Sequence, residues 1–165
     1  MASRRLNIAA HLCRVIVGLT FVFSGFVKTI DPWGTALKVN EYLSIYGIEE
    51  LTPYSMIFSI WLCGAELMMG LMLTFKVRTR LVSIFALGSM IFFTILTFLR
   101  ATWIPVEDSG CFGDAIKLSP WETFFKNLIM LPMVAIVWYR HRRHRILEFK
   151  KIEVVLAVAF FSIAM

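Results

Sequence analysis

Four runs of predominantly apolar residues, at 7–27, 54–75, 81–99 and 121–139, constrain this chain more than any motif in it. Each is about 20 residues long, the length that spans ~30 Å of hydrocarbon at ~1.5 Å rise per residue. With 59% hydrophobic and 17% charged residues, the chain departs from the composition of soluble domains, and the lipid bilayer is its first expected partner. A net charge of +6 invites a nucleic-acid reading, but the basic residues gather at the ends of apolar runs rather than along a polar face. Membrane orientation accounts for them, and no nucleic-acid partner is expected.

The connections alternate in charge. Arg4 and Arg5, then Lys76, Arg78 and Arg80, then Arg140 through Arg145 fall on one side, which the positive-inside rule makes cytoplasmic. Asp31, Glu41, Glu49, Glu50, Glu107, Asp108 and Asp114 fall on the other. The expected location is a bacterial inner membrane crossed several times, with the N-terminus cytoplasmic and the loop around Cys111 periplasmic. Arg4 and Arg5 before an apolar run also resemble a secretory signal, yet no small-residue cleavage site follows and the run is long enough to be a retained first helix.

Helix starts are written into the sequence. Asp31-Pro32, Thr52-Pro53 and Ser119-Pro120 each place a capping side chain before a proline, which gives up no needed N–H at the first helical position. Glu122, three residues after Ser119, completes a capping box. Between the first two spans, Trp33, Ala36, Leu37, Val39, Leu43 and Tyr46 recur at helical spacing, with Gly47 as a stop. Residues 32–46 are therefore expected to form a short amphipathic helix, lying at the outer interface or packed on the bundle. Pro132 within the fourth run should kink it or free a carbonyl. Trp103, Trp121 and Trp138 fall near interfaces. Residues 154–165 read as a fifth helix cut short, or as a segment packed on the membrane surface. The fold class expected is thus an all-α membrane protein: a four-transmembrane-helix bundle at 1–145 with a short amphipathic outer helix, then a basic segment and truncated fifth apolar segment at 146–165.

Two charges lie inside spans. Counted from the cytoplasmic ends at ~1.5 Å per residue, Arg14 is about 10 Å deep and Glu66 about 14 Å deep on antiparallel helices. The expectation is an Arg14–Glu66 ion pair, which either pins the two helices or takes part in proton or quinone chemistry. Gly18 and Gly25, with Ser24 beside the latter, and Cys63, Glu66 and Gly70 make small-residue faces that permit close helix approach. Lys28 is expected to pair with Asp31 or snorkel outward. Lys126 and Asn127 line a polar pocket opening toward the Cys111 loop if they face inward, with Lys28 a third candidate for it, although Lys126 too can snorkel.

The remaining chemistry lies in one loop. Cys111 is the only cysteine in polar, glycine-rich surroundings, with Gly110 and Gly113 allowing tight turns and close approach of another chain. Glu107, Asp108 and Asp114 disfavour its thiolate, whereas Lys117 and the following helix dipole favour it. Three cysteines at irregular spacing exclude a closed disulfide framework or a multi-cysteine zinc site within the chain, and no metal is expected.

The order Arg14, Gly18, Phe21, Ser24-Gly25, Lys28 and Asp31-Pro32, then Tyr42, then Glu66 and Gly70, then Cys111-Phe112-Gly113-Asp114, resembles the DoxX/MauE family of small four-helix membrane proteins. The resemblance spans about the first 140 residues. It implies a thiol-redox or electron-transfer component supporting periplasmic protein maturation or quinone-linked oxidation. MauE-like members are linked to maturation of the disulfide-rich methylamine dehydrogenase, and DoxX-like members to thiosulfate:quinone oxidoreduction. Many relatives carry Cys-Gly-Cys-Phe-Gly in this loop; here Ser109 replaces the first cysteine, so a redox role for Cys111 must borrow a second thiol, from a thioredoxin-like periplasmic protein for instance. Quinone is the cofactor implied. A non-catalytic scaffold docking a periplasmic partner is the alternative, and a small-solute transporter a third that the lack of an evident inverted repeat disfavours.

Overall fold

A computed structural model of the chain describes residues 2–45, 47–103 and 119–142. Among them every regular element is helical: α1 (Ala2–Ile30), α2 (Pro32–Ile45), a 3₁₀ helix (Glu49–Tyr54), α3 (Ser55–Thr74), α4 (Thr79–Trp103) and α5 (Pro120–His141). Cys111 with its neighbours Ser109, Gly110, Phe112, Gly113 and Asp114, and the apolar segment 154–165, lie outside the described residues.

Three stretches, Asn7–Ile30, Glu49–Thr74 and Thr79–Leu99, are long and apolar enough to cross a membrane. The fourth apolar run folds as α5, whose 22 residues are also long enough but carry Glu122, Lys126 and Arg140. The helices form a ring in which α1 packs on α3 and α5, and α4 packs on α5, while α3 and α4 touch only loosely. Consecutive long helices are neighbours, as short connections require. The core is built from Val17 and Phe21 of α1, Leu73 of α3, Val82, Ala86 and Met90 of α4, and Met130, Val134 and Val137 of α5.

The interior is otherwise unlike that of a soluble protein. Ser59, Ser83 and Thr123 are fully buried, whereas Leu12, Phe26, Phe85, Phe92 and Ile129 face outward. Small and hydroxyl side chains let helices approach where lipid removes the usual hydrophobic drive; Ser83 donates within its own helix to the Arg80 carbonyl at 3.0 Å, and Ser59 donates across to the Pro32 carbonyl of α2 at 2.8 Å. Apolar residues on the outer faces are what a bilayer solvates.

Two of the three expected caps form. Asp31 accepts from Gly34 N–H at 3.0 Å and starts α2. Ser119 and Glu122 exchange bonds of 3.2 and 2.9 Å in a full capping box at the start of α5. Ser119→Ala is expected to lower unfolding stability by about 1 kcal/mol in detergent, with Glu122→Ala milder, because one orphan donor loses its partner. The third cap does not form. Thr52 and Pro53 lie inside the 3₁₀ helix, α3 begins at Ser55, and the Ser55 N–H bonds to the Thr52 carbonyl instead of a side-chain oxygen. A tight 3₁₀ turn at the helix entrance makes the side-chain cap unnecessary.

Gly47 closes α2 as expected, at φ +69°, with Gly47 N–H on the Ser44 carbonyl at 3.1 Å and Ile48 N–H on the Leu43 carbonyl at 2.8 Å. This is the left-handed stop that favours glycine. α2 packs on α3 through Thr35 and Ala36, and leaves Trp33 and Leu37 exposed on its far edge. α5 runs unbroken through Pro132, which faces outward. Cys63 is buried and Cys13 half-buried against the core.

Candidate functional site

The α1–α3 seam sets the site. A Cβ added to Gly25 would meet the backbone of Leu67, one added to Gly70 the backbone of Val22, and one added to Gly18 that of Thr74. In each of these pairs the two residue numbers add to 92, which gives the register of the antiparallel helices directly. Glu66 is therefore level with residue 26, between Ser24 and Lys28. Arg14 is level with residue 78, past the end of α3.

That register corrects the expected ion pair. Glu66 does not meet Arg14; it accepts from Lys28 Nζ at 2.7 Å on one oxygen and from Ser24 Oγ at 3.1 Å on the other. Lys28 thus pairs with Glu66 rather than with Asp31 or open water, and its side chain is only 8% exposed. Arg14 instead donates to the carbonyls of Leu73 and Thr74. Those belong to the last turn of α3, whose orphan carbonyls and negative dipole end attract a cation. Depth counting took the counted ends of the two helices as level, whereas α1 starts at Ala2 and α3 ends at Thr74, which is level with Gly18, so the Arg14 turn lies beyond the last turn of α3.

Around the Lys28–Glu66 pair lies a cavity of about 450 Å³ in the half of the bundle nearest α2. Every long helix contributes. α1 supplies Phe21, Ser24 and Lys28; α2 supplies Lys38 and Tyr42; α3 supplies Phe58, Leu62 and Glu66. From α4 come Met90, Phe92, Phe93 and Thr97, and from α5 Lys126, Asn127 and Met130. Lys28, Lys126 and Asn127 are thereby brought to one site with Glu66, one helical turn of α5 carrying two of them. Ser24, expected only as a small residue, proves to be the second ligand of the carboxylate. The signal for it was the i, i+4 spacing of Ser24 and Lys28, which puts both on one face of α1.

The walls are apolar and aromatic, and the polar atoms are few and convergent, as in sites that hold amphiphilic small molecules. Three lysines and one glutamate line the space, and Lys38 also pairs with Glu41 at 3.8 Å. Thr97 is buried but bonds back to Phe93 and Thr94 of its own helix. Asn127 is 3% exposed, and its Nδ2 has no hydrogen-bond acceptor among the described residues. No group of three or more metal-ligating side chains occurs among the described residues.

A family model described as "Methylamine utilisation protein MauE" matches residues 6–140, most of the chain and all of the cavity. The chain belongs to the MauE family. No curated protein and no solved structure matches it. The family match includes residues 104–118, so the Cys111 loop is part of the MauE region even though it lies outside the described residues.

Proposed function

We propose that this MauE family protein is a thiol-redox component of the bacterial inner membrane that passes electrons between a periplasmic partner and a quinone. The carrying observation is that the cavity lies at the end of the bundle where α4 ends and α5 begins, so Trp103 and Ser119, which flank the Cys111 loop in sequence, are at the same end as the polar residues of the cavity. A cysteine in the sequence that joins these two helix ends, with an amphiphile site at the same end of the bundle, supports this reading.

Cys111 and one thiol of a thioredoxin-like partner lose two electrons and two protons as they join in a mixed disulfide, and a quinone takes up both to become quinol. A second partner thiol then attacks the mixed disulfide, releasing the Cys111 thiol and leaving the partner oxidised. The chain supplies one cysteine per turnover and the partner two. In this reading all four long helices cross the bilayer, α2 lies at the periplasmic interface with Trp33 and Leu37 against lipid, and the basic residues at the Lys76 and Arg140 end are cytoplasmic.

Cys111→Ser is expected to lower the yield of active methylamine dehydrogenase in cells lacking the wild-type chain by at least about tenfold, since no other thiol of this chain shares the loop. A membrane-impermeant maleimide should label Cys111 in intact cells after reduction. Full activity in the Cys111→Ser strain would exclude the redox reading and favour a scaffold that docks its partner through the same loops.

A further inference from the structure

The α3–α4 side of the ring is its open side. Phe58 of α3 and Phe92 of α4 both line the cavity, yet they are 50% and 60% exposed on the faces that lipid would cover. Wall residues this exposed, on two helices that touch only loosely, mark the thinnest and most easily parted stretch of the cavity wall. At the opposite wall, Asn127 presents a buried amide nitrogen with no acceptor among the described residues. A buried donor left unpaired costs about as much as a lost hydrogen bond, which is tolerated where a ligand supplies the acceptor.

We infer that the cavity admits a carbonyl-headed amphiphile sideways from the bilayer between α3 and α4, and that Asn127 Nδ2 donates the hydrogen bond that holds its head. The hydrocarbon tail lies along Phe58 and Phe92 and leaves through the opening. Asn127 is thus a residue that reads the ligand's head group rather than one that holds the helices. The inference rests on the quinone-linked reading above only for which amphiphile is bound, because a quinone carbonyl and a fatty-acid carboxyl present the same acceptor.

The test uses full-length protein in phosphatidylcholine nanodiscs, with an azido-derivatised short-chain ubiquinone and a diazirine-bearing oleate as photoreactive probes. Saturable labelling of α4 or α5 peptides, competed by the unlabelled probe, is expected for the wild type. Asn127→Leu, close to isosteric, should need about tenfold more probe for half-labelling, the loss of one buried hydrogen bond. Its thermal midpoint should match or exceed that of the wild type, because an unpaired polar group has been removed. Leu62→Trp, which puts an indole on the cavity wall one helical turn from Phe58 and leaves Asn127 intact, should also weaken labelling and keeps the test decisive if Asn127→Leu does not fold. Asn127-dependent labelling by oleate alone would support the site while removing quinone from the proposed reaction. Equal labelling of wild type and Asn127→Leu, a lowered midpoint in that variant without a labelling defect, or no saturable labelling at all would overturn the inference. The need for the Cys111 thiol is read separately by the dehydrogenase assay of Cys111→Ser; absence of a quinone site would remove only the oxidant from the proposed reaction.

Discussion

Glu66→Leu alone should lower the unfolding stability of the protein by about 3–5 kcal/mol, the cost of removing the carboxylate that a buried ammonium pairs with. Lys28 would then lose its carboxylate in a cavity whose apolar walls solvate an ammonium poorly, and the Ser24 bond to Glu66 would go as well. Lys28→Met alone should be similarly severe, since it isolates the carboxylate. The combined Lys28→Met and Glu66→Leu variant should return to wild-type stability or exceed it, because desolvating two charges offsets much of what their attraction contributes. Thermal unfolding in detergent of the two single variants and the double variant measures the coupling directly. Additive losses would show that the two side chains act separately and that the 2.7 Å contact contributes nothing. Recovery of stability without recovery of dehydrogenase maturation would show instead that the pair is kept for its chemistry in the cavity rather than for the fold.

The second large effect is expected at the α1–α3 seam. Gly25→Ala puts a Cβ within 2.9 Å of the Leu67 Cβ and closer still to Leu67 backbone atoms, and Gly70→Ala puts one 2.8 Å from the Phe21 carbonyl carbon. Backbone cannot step aside as a flexible side chain can, so the helices must separate. Each substitution should cost about 1–3 kcal/mol, with the double variant less than additive, because once the seam has opened the second methyl meets less resistance. Gly88 is the control. Nothing lies within 4 Å of an added Cβ there, and Gly88→Ala in α4 should stabilise by about 0.5–1 kcal/mol through helix propensity alone. A neutral Gly25→Ala would mean that α1 and α3 are not held in this register. Since the same register brings Ser24 and Lys28 level with Glu66, Gly25→Ala should also weaken probe labelling of the cavity, although residue 25 does not line it.

Much of this architecture was legible from local chemistry. Apolar runs of spanning length, Asp31 and Ser119 as caps, Gly47 as a stop and the α2 segment between them each depend on residues a few positions apart, and the helices begin and end close to where those residues stand. Thr52 was the local failure, because a 3₁₀ turn and an α-helical cap present the same Thr-Pro signature and differ only in which backbone carbonyl lies within reach. Lys28, Glu66, Lys126 and Asn127 could all be picked out as polar residues in apolar surroundings, and Lys28, Lys126 and Asn127 as candidates for one pocket. That Glu66 joins them could not.

What the sequence by itself determined is the kind of molecule: helical, bilayer-seeking, with basic residues gathered at one end and a single glycine-flanked cysteine in a connecting loop. A span's length, its caps and the charges that bound it are set by neighbours along the chain, so they can be read without knowing what packs against what. Only the tertiary structure decided which charge Glu66 meets. The choice between Arg14 and Lys28 is a choice of register between two helices, and a shift of a few residues along antiparallel axes moves a partner by several ångströms. Three glycines set that register by letting backbone touch backbone, and their contacts appear only once the helices are packed. The cavity follows for the same reason: it is the space left where α1 and α3 close tightly, α4 and α5 close tightly, and α3 and α4 do not.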